Sequence, residues 1–281
     1  QEGGDELMYE SFYGMTHTPF TRDVPADALY ESDAMADALG RLAYVADRQL
    51  FAVVTADAGC GKSTLIRKFS ESLPKDQYIF LYLSDSKLTP RWFYKGLLDQ
   101  LGIESKFYRG DSKRQLQKEV EILRGVHGLK VVCVLDEAHL LEKETIEEFR
   151  FLLNYRFDSM SPMALVLVGQ SELWDEKLRL KRYAAVRQRI DINCVLPHLD
   201  RPETEKYVKS HLTYAGVTEQ ELFSRRALDE IYRLSSGIPR LINRVCEKCL
   251  MYGVQQSLRI IDDKDVLFVS EHEMLDGGDL S

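Results

Sequence analysis

Two apolar runs, each ending in a chemically loaded turn, fix most of what this chain can become. Phe51-Ala52-Val53-Val54-Thr55 runs into Ala56-Asp57-Ala58-Gly59-Cys60-Gly61-Lys62-Ser63, and Val131-Val132-Cys133-Val134-Leu135 runs into Asp136-Glu137. A short apolar run bounded by turn signals reads as a strand buried on both faces. Ser63 to Ser70 continues as the start of a helix. The first turn therefore sits at a strand-to-helix junction, where backbone N–H groups and the helix N-terminus point at an anion. A Gly-Lys-Ser ending in that context reads as a phosphate cradle. Lys62 is expected to reach the β- and γ-phosphates, Ser63 and Asp136 to hold Mg2+, and Glu137 to polarise the attacking water. The pair of motifs implies binding of ATP with Mg2+, and its hydrolysis. The expected nucleotide set is Ala58, Gly59, Cys60, Gly61, Lys62, Ser63 and Thr64.

One position departs from the pattern. The first glycine of G-x-x-x-x-G-K-[ST] is Ala56 here. Glycine is favoured where φ is positive or the backbone approaches closely, so alanine is expected to cost some affinity. Gly59, Gly61, Lys62 and Ser63 keep the phosphate-facing part.

The order of elements bounds the fold class. Further strands are expected at Tyr78 to Leu83, Met163 to Val168 and Ile190 to Val195. Helices are expected from Ser32 to about Arg48, to about Leu73, from Pro90 to about Leu101, from a cap at Asp111 to about Val126, from about Lys143 to Phe157, and from Glu176 to Gln188. Strands alternating with helices imply a parallel α/β sheet. From about Asp200 the pattern is helical only: Pro202 to Ala215, Ser224 to Ser235, Ile238 to Val254, and a last helix from Asp262. The expected domains are an α/β nucleotide domain over 13–199 and a helical domain over 200–270, with disordered tails at 1–12 and 271–281. Met8 is a candidate natural start, with the first seven residues an added remnant.

Composition narrows the function classes. The 281 residues contain no run of 18 apolar residues and no signal-peptide pattern, which predicts a soluble, cytoplasmic chain without membrane contact. Five scattered cysteines do not make a disulfide framework. Cys246 and Cys249 form a lone C-x-x-C without a second ligand pair, better read as helical packing than as metal binding. A net charge of −8 argues against tight, unaided binding to nucleic acid. Yet from Lys87 to Lys118 eight basic residues face three acidic ones. That segment is either a solvated helix face or a basic surface for a polyanion.

Three further positions carry chemistry. Gln170 follows the fourth strand in Val168-Gly169-Gln170-Ser171, where an amide can lie between the two motif strands and orient water or the γ-phosphate. Arg240, in Ser236-Gly237-Ile238-Pro239-Arg240, falls on the first turn of a helix. An arginine there is poorly placed unless an anion is near, and a triphosphate supplies one. Arg187 and Arg189 precede the fifth strand, too far along the fold to reach their own subunit's phosphates. In an oligomer they could act on a neighbour's site as arginine fingers.

These elements, in this order, resemble the AAA+ ATPases of the initiator-like branch, above all the ExeA-type proteins and their transposition relatives IstB, MuB, TniB and TnsC. The likeness runs from about Tyr13 to Val269. It is carried by Tyr13-Gly14 with Pro19-Phe20, Leu135-Asp136-Glu137-Ala138-His139, Val168-Gly169-Gln170 and Gly237-Ile238-Pro239-Arg240-Leu241-Ile242-Asn243. The resemblance implies a five-stranded P-loop sheet with a C-terminal helical lid, ATP at subunit interfaces, and rings or helical filaments. It assigns Gln170 to sensor 1, Arg240 to sensor 2 and Arg189, with Arg187 as alternate, to the arginine finger. In the transposition members, filaments coat duplex DNA and recruit a transposase. The insert between the second and third strands then contacts the DNA backbone, here through Lys87, Arg91, Lys106, Lys113 and Arg114. Such contacts are salt-sensitive and weakly sequence-specific, and many subunits on one DNA multiply them.

Two other functions compete with that reading. One is an ExeA-type secretion-pathway ATPase module acting on a protein partner; those proteins carry a transmembrane segment and a peptidoglycan-binding domain, neither of which is seen in these 281 residues. The other is a nucleotide-dependent interaction switch with negligible turnover, to which Ala56 lends support. Asp136-Glu137-Ala138-His139 also spells a helicase motif, but the helical C-terminal region leaves no room for the second RecA-like domain that helicases need.

Overall fold

The computed structural model describes residues 9–85, 87–106, 108–154 and 161–274. Residues 1–8 and 275–281 of the expected tails, and the end of the helix expected to reach Phe157, lie outside the described residues, while Glu271 and His272, also expected as tail, end the last helix. The elements in chain order are α1 (Tyr9–Tyr13), α2 (Asp33–Arg48), β1 (Phe51–Ala56), α3 (Lys62–Ser72), β2 (Tyr78–Leu83), α4 (Pro90–Gln100), α5 (Arg109–Gly125), β3 (Lys130–Leu135), α6 (Lys143–Leu153), β4 (Ala164–Gly169), α7 (Ala184–Arg187), β5 (Ile192–Leu196), α8 (Arg201–Tyr214), α9 (Arg225–Ser235), α10 (Pro239–Gln255) and α11 (Asp263–His272). The chain divides into an α/β unit, Asp33–Ala58 with Lys62–Pro197, and a helical unit that joins the residues up to Ser32, Gly59–Gly61 and those from His198 onward.

In the α/β unit five parallel strands lie in the order β2-β3-β4-β1-β5. Residues of β1 and β4 are buried throughout, and only Lys130 of β3 is partly exposed. The period of two then sorts their side chains by face. Val131, Cys133 and Leu135 join Phe51, Val53, Leu165 and Leu167 in one core, filled from α4, α5 and α6 by Phe93, Leu97, Leu116, Val120, Ile146 and Phe149. The alternate residues meet the other layer, where α2 packs over β1, β3, β4 and β5 and against α3. Thr89 caps α4 by accepting the Trp92 N–H, and Pro90 occupies its first turn, as the sequence predicts.

Two local expectations fail for identifiable reasons. Asp111 does not cap α5, because the helix already begins at Arg109 and Tyr108 supplies the extended residue before it. Nor is 176–188 one helix. Leu173–Leu178 is a π turn, Leu180 is extended, a 3-10 turn spans Lys181–Tyr183, and only then does α7 follow. The buried residues Leu173, Leu178 and Tyr183 fall five apart. That spacing suits wide turns rather than the 3.6-residue period.

The helical unit has its own core. Val208 and Leu212 of α8, Leu228 and Ile231 of α9, Ile242, Val245, Cys246 and Cys249 of α10, and Val266 and Val269 of α11 pack together. Cys246 and Cys249 are buried, and burial pushes both thiols up. Asp200 and Glu203 form a capping box that starts α8 near the expected boundary. Residues 13–32, which the sequence reading gave to the α/β domain, belong with these helices. The Tyr13 hydroxyl donates to the Leu258 carbonyl, Thr16 Oγ1 donates to the Ala215 carbonyl, and the His211 ring contacts the Pro19 carbonyl through Nδ1. Residues 9–12, expected as tail, are helical, because Tyr9 and Tyr13 share one buried face.

Candidate functional site

The C-terminal ends of the five strands collect the motif residues of the α/β unit. β1 delivers the phosphate loop, β3 delivers Asp136 and Glu137, and β4, which lies between them, delivers Gln170. Gln170 therefore follows the end of the strand that lies between the two motif strands.

The loop has the conformation its sequence requires. Gly59 and Gly61 both have positive φ, at 80° and 93°, a region that side chains strain to enter. Ala56 does not: it closes β1 in register with Leu196. Its Cβ strains no backbone there, so the conformational reason for expecting a loss of affinity is removed. Lys62 opens α3, and its ammonium donates to the carbonyls of Ala56 and Asp57 at 3.0 and 3.1 Å. The N-terminus of α3, from Lys62, points its first N–H groups outward along the helix axis, the positive end of the helix dipole. Curled glycines, a lysine at the helix start and a helix N-terminus suit a polyphosphate in kind. The Ser63 hydroxyl and the Asp136 carboxylate are hard oxygen donors of the sort Mg2+ takes.

Asp136 is held on both oxygens. Oδ1 accepts the Glu137 N–H at 2.8 Å, and Oδ2 accepts the Tyr82 hydroxyl at 2.7 Å. Burial, then the Asp136 carboxylate, pushes the Tyr82 phenol up to about 12, so it stays a donor at neutral pH. Glu137 adopts a left-handed backbone, φ 54° and ψ 31°, which is uncommon for a residue with a side chain and clusters at functional sites. The 3-10 turn Ala138–Leu140 follows at once. His139 Nε2 lies 3.3 Å from Glu137 Oε2, and His139 Nδ1 accepts the Gln170 N–H at 3.1 Å. Tyr82 and His139 were not among the residues expected to act. The signals were a polar-tipped aromatic near the end of the strand beside β3, and a histidine that closes the Leu135-to-His139 run of the family likeness and of the rejected helicase motif.

Arg187 and Arg189 lie away from this edge. Arg187 donates to the carbonyls of Leu178 and Leu180, satisfying the broken helical stretch before it. Arg189 lines a cleft of about 570 Å³ at the opposite, N-terminal end of the sheet, with Arg48, Arg124, Lys130 and Asp191. A six-residue strand separates the two edges by about 20 Å, so Arg189 does not reach its own subunit's motif edge. In the helical unit, the Arg240 N–H donates to the Gly59 carbonyl at 3.2 Å, and a Cβ at Gly59 would lie 2.8 Å from Arg240 Cβ. The expected sensor arginine and a loop glycine are thus in direct contact.

The basic insert is uneven. Lys87, Arg91, Lys106 and Arg114 are exposed. Trp92 and Tyr108 stand exposed among them, at 50% and 70%. Lys113 differs: its ammonium lies 3.8 Å from Glu148 and 5.6 Å over the Phe151 ring.

With this geometry in view, residues 45–175 match the family described as AAA domain. Cdc6p from Pyrobaculum aerophilum superposes with a TM-score of 0.69 at 19% identity, over 92% of this chain and 71% of that one. The fold is an AAA+ fold. The Aeropyrum pernix ORC1 protein in complex with DNA shares it, with a TM-score of 0.63 at 14% identity over 89% of this chain and 68% of that one. In sequence, the chain is 31% identical over 251 residues to General secretion pathway protein A of Aeromonas hydrophila, covering 87% of this chain and 44% of that protein. The chain thus spans less than half the length of that relative. Among the described residues no helix is long and apolar enough to cross a membrane.

Proposed function

We propose that this chain is an ATPase whose subunits assemble in the ATP state on duplex DNA and there recruit a transposase. The observation that carries the ATPase part is the strand order, which sets Gln170 between the phosphate loop and the Asp136-Glu137 pair on one edge of the sheet. In this reading Lys62 and the N-terminus of α3 neutralise phosphate charge, and Ser63 and Asp136 hold the metal. Bound Mg2+ would supply charge neutralisation on the β- and γ-phosphates. Glu137 orients the attacking water and Gln170 senses the γ-phosphate. Arg240 carries nucleotide state into the helical unit. Arg189 completes a neighbour's site, with Arg187 as the alternate.

The DNA part is supported by the exposed cations Lys87, Arg91, Lys106 and Arg114 around α4 and α5. Lys113 contributes less in this reading, since its side chain is half-buried where that of Arg114 is exposed. A second reading, an ATPase module acting on a protein partner in the manner of ExeA-type proteins, is favoured by the 31% identity to a secretion-pathway protein.

Fluorescence anisotropy of labelled duplex DNA, without nucleotide, with ADP and with a non-hydrolysable ATP analogue, separates the two. The DNA reading expects binding only with the analogue, falling steeply between low and physiological salt. Absence of binding in every state moves the partner to protein. In the same preparation Glu137→Gln is expected to keep nucleotide binding and to lose turnover by roughly 100-fold or more.

A further inference from the structure

We infer that His139 is a positioning residue that sets the Glu137 carboxylate from the end of β4, an inference that rests on the ATPase reading. The imidazole is nearly enclosed, with 8% of its side chain exposed, against 43% for Glu137. Its seat requires the absence of a side chain at Gly169. A Cβ there would meet the His139 backbone nitrogen at 3.0 Å and its Nδ1 at 3.2 Å. The ring therefore lies flush against the last residue of β4, while the 3-10 turn fixes its own backbone, with the Leu140 N–H donating to the Glu137 carbonyl and the Leu141 N–H to the Ala138 carbonyl.

The hydrogen bond from Gln170 determines the tautomer. Nδ1 accepts the Gln170 N–H, so the proton of the ring is on Nε2. That N–H is the group 3.3 Å from Glu137 Oε2. The two oxygens of Glu137 are thereby made unequal: Oε2 is turned to the imidazole, and Oε1 is left to orient water. The same ring ties the backbone of Gln170 to the carboxylate, so a shift of the β4 end moves Glu137. Gln170 then acts on catalysis through its main chain as well as its amide.

The test exploits the two nitrogens separately. His139→Gln keeps a donor that reaches the Nε2 position but loses the acceptor for Gln170. His139→Asn keeps the acceptor and loses the reach to Glu137. His139→Ala loses both. For the full chain, kcat and KM for MgATP are measured beside the affinity for a fluorescent non-hydrolysable ATP analogue and the melting temperature. The expected result is a fall in kcat on the order of 10- to 100-fold in the Ala and Asn variants. His139→Gln should recover most of that loss, with analogue affinity within about twofold of wild type throughout. Gly169→Ala, which crowds the His139 backbone and ring and the Leu173 side chain without changing the imidazole, should lower kcat in the same direction and covers the case in which a His139 variant does not fold. Wild-type kcat in His139→Ala overturns the inference. So does recovery in Asn without recovery in Gln, which would make the ring a prop for the β4 end only, and so does loss of analogue binding in step with kcat. A wild-type chain with no turnover overturns the ATPase reading instead, and this inference with it.

Discussion

Asp136, the carboxylate proposed to hold the metal, has its geometry set from outside the motif. With Oδ2 on the Tyr82 hydroxyl and Oδ1 on the Glu137 N–H, its plane is fixed before any ligand arrives. Groups that orient a metal ligand commonly matter about 10-fold in metal affinity. Tyr82→Phe is therefore expected to raise the Mg2+ concentration for half-maximal turnover by about 10-fold, while kcat at saturating Mg2+ stays near wild type. A Mg2+ titration of steady-state turnover checks it, and an unchanged midpoint removes Tyr82 from the site. Position 82 was unreadable in the sequence because the contact joins neighbouring strands in a parallel sheet. Their register, Tyr82 opposite Val134, is not written in either strand alone. The motif residues were readable because each depends only on its own strand and turn.

At the scale of elements, the connection from α9 to α10 shows what a glycine can be asked to do. Ser236 and Gly237 are both left-handed, with φ of 52° and 74°. A Cβ on Gly237 would lie 1.8 Å from the Leu199 carbonyl oxygen, whose residue donates its own N–H to the Gly237 carbonyl. No rotamer relieves a clash with backbone. Gly237→Ala is expected to destabilise the chain by about 3 kcal/mol, as overpacking and a forbidden φ combine. Chemical denaturation against wild type measures it, and a loss below about 1 kcal/mol would contradict the close packing. The sequence announced this turn through Gly-Ile-Pro, and it announced α4 through Thr-Pro, because caps are local. It failed for 176–188, where the helix breaks at the extended Leu180 and Arg187, from beyond the break, donates to the carbonyls of Leu178 and Leu180. It failed also for residues 9–32, whose partners Ala215 and Leu258 are distant in the chain. Local chemistry was legible, and long-range pairing was not.

For the whole molecule, the placement of Arg189 at the sheet edge opposite Asp136 makes a prediction about mixtures. If Arg189 serves a neighbour's site, Arg189→Ala and Glu137→Gln are each nearly inactive alone. Mixed in equal amounts, they rebuild about a quarter of the sites, those pairing an intact Glu137 with a neighbour's intact Arg189. Recovered turnover in the mixture is the expected outcome, and none would confine Arg189 to the cleft it lines. The strand order has a different consequence, for the history of the molecule rather than its chemistry. β1 sits inside the sheet, and its neighbours arrive late: Phe51 pairs with Leu165, and Ala52 with Ile192. A chain emerging from the ribosome has made the loop, Asp136 and Glu137 well before it has made the strands that flank β1. Until Leu196 is free, β1 is an open edge, and open edges recruit other strands. A nascent or truncated chain ending before Asp191 thus holds both motifs and lacks one flank of the strand that shapes the loop.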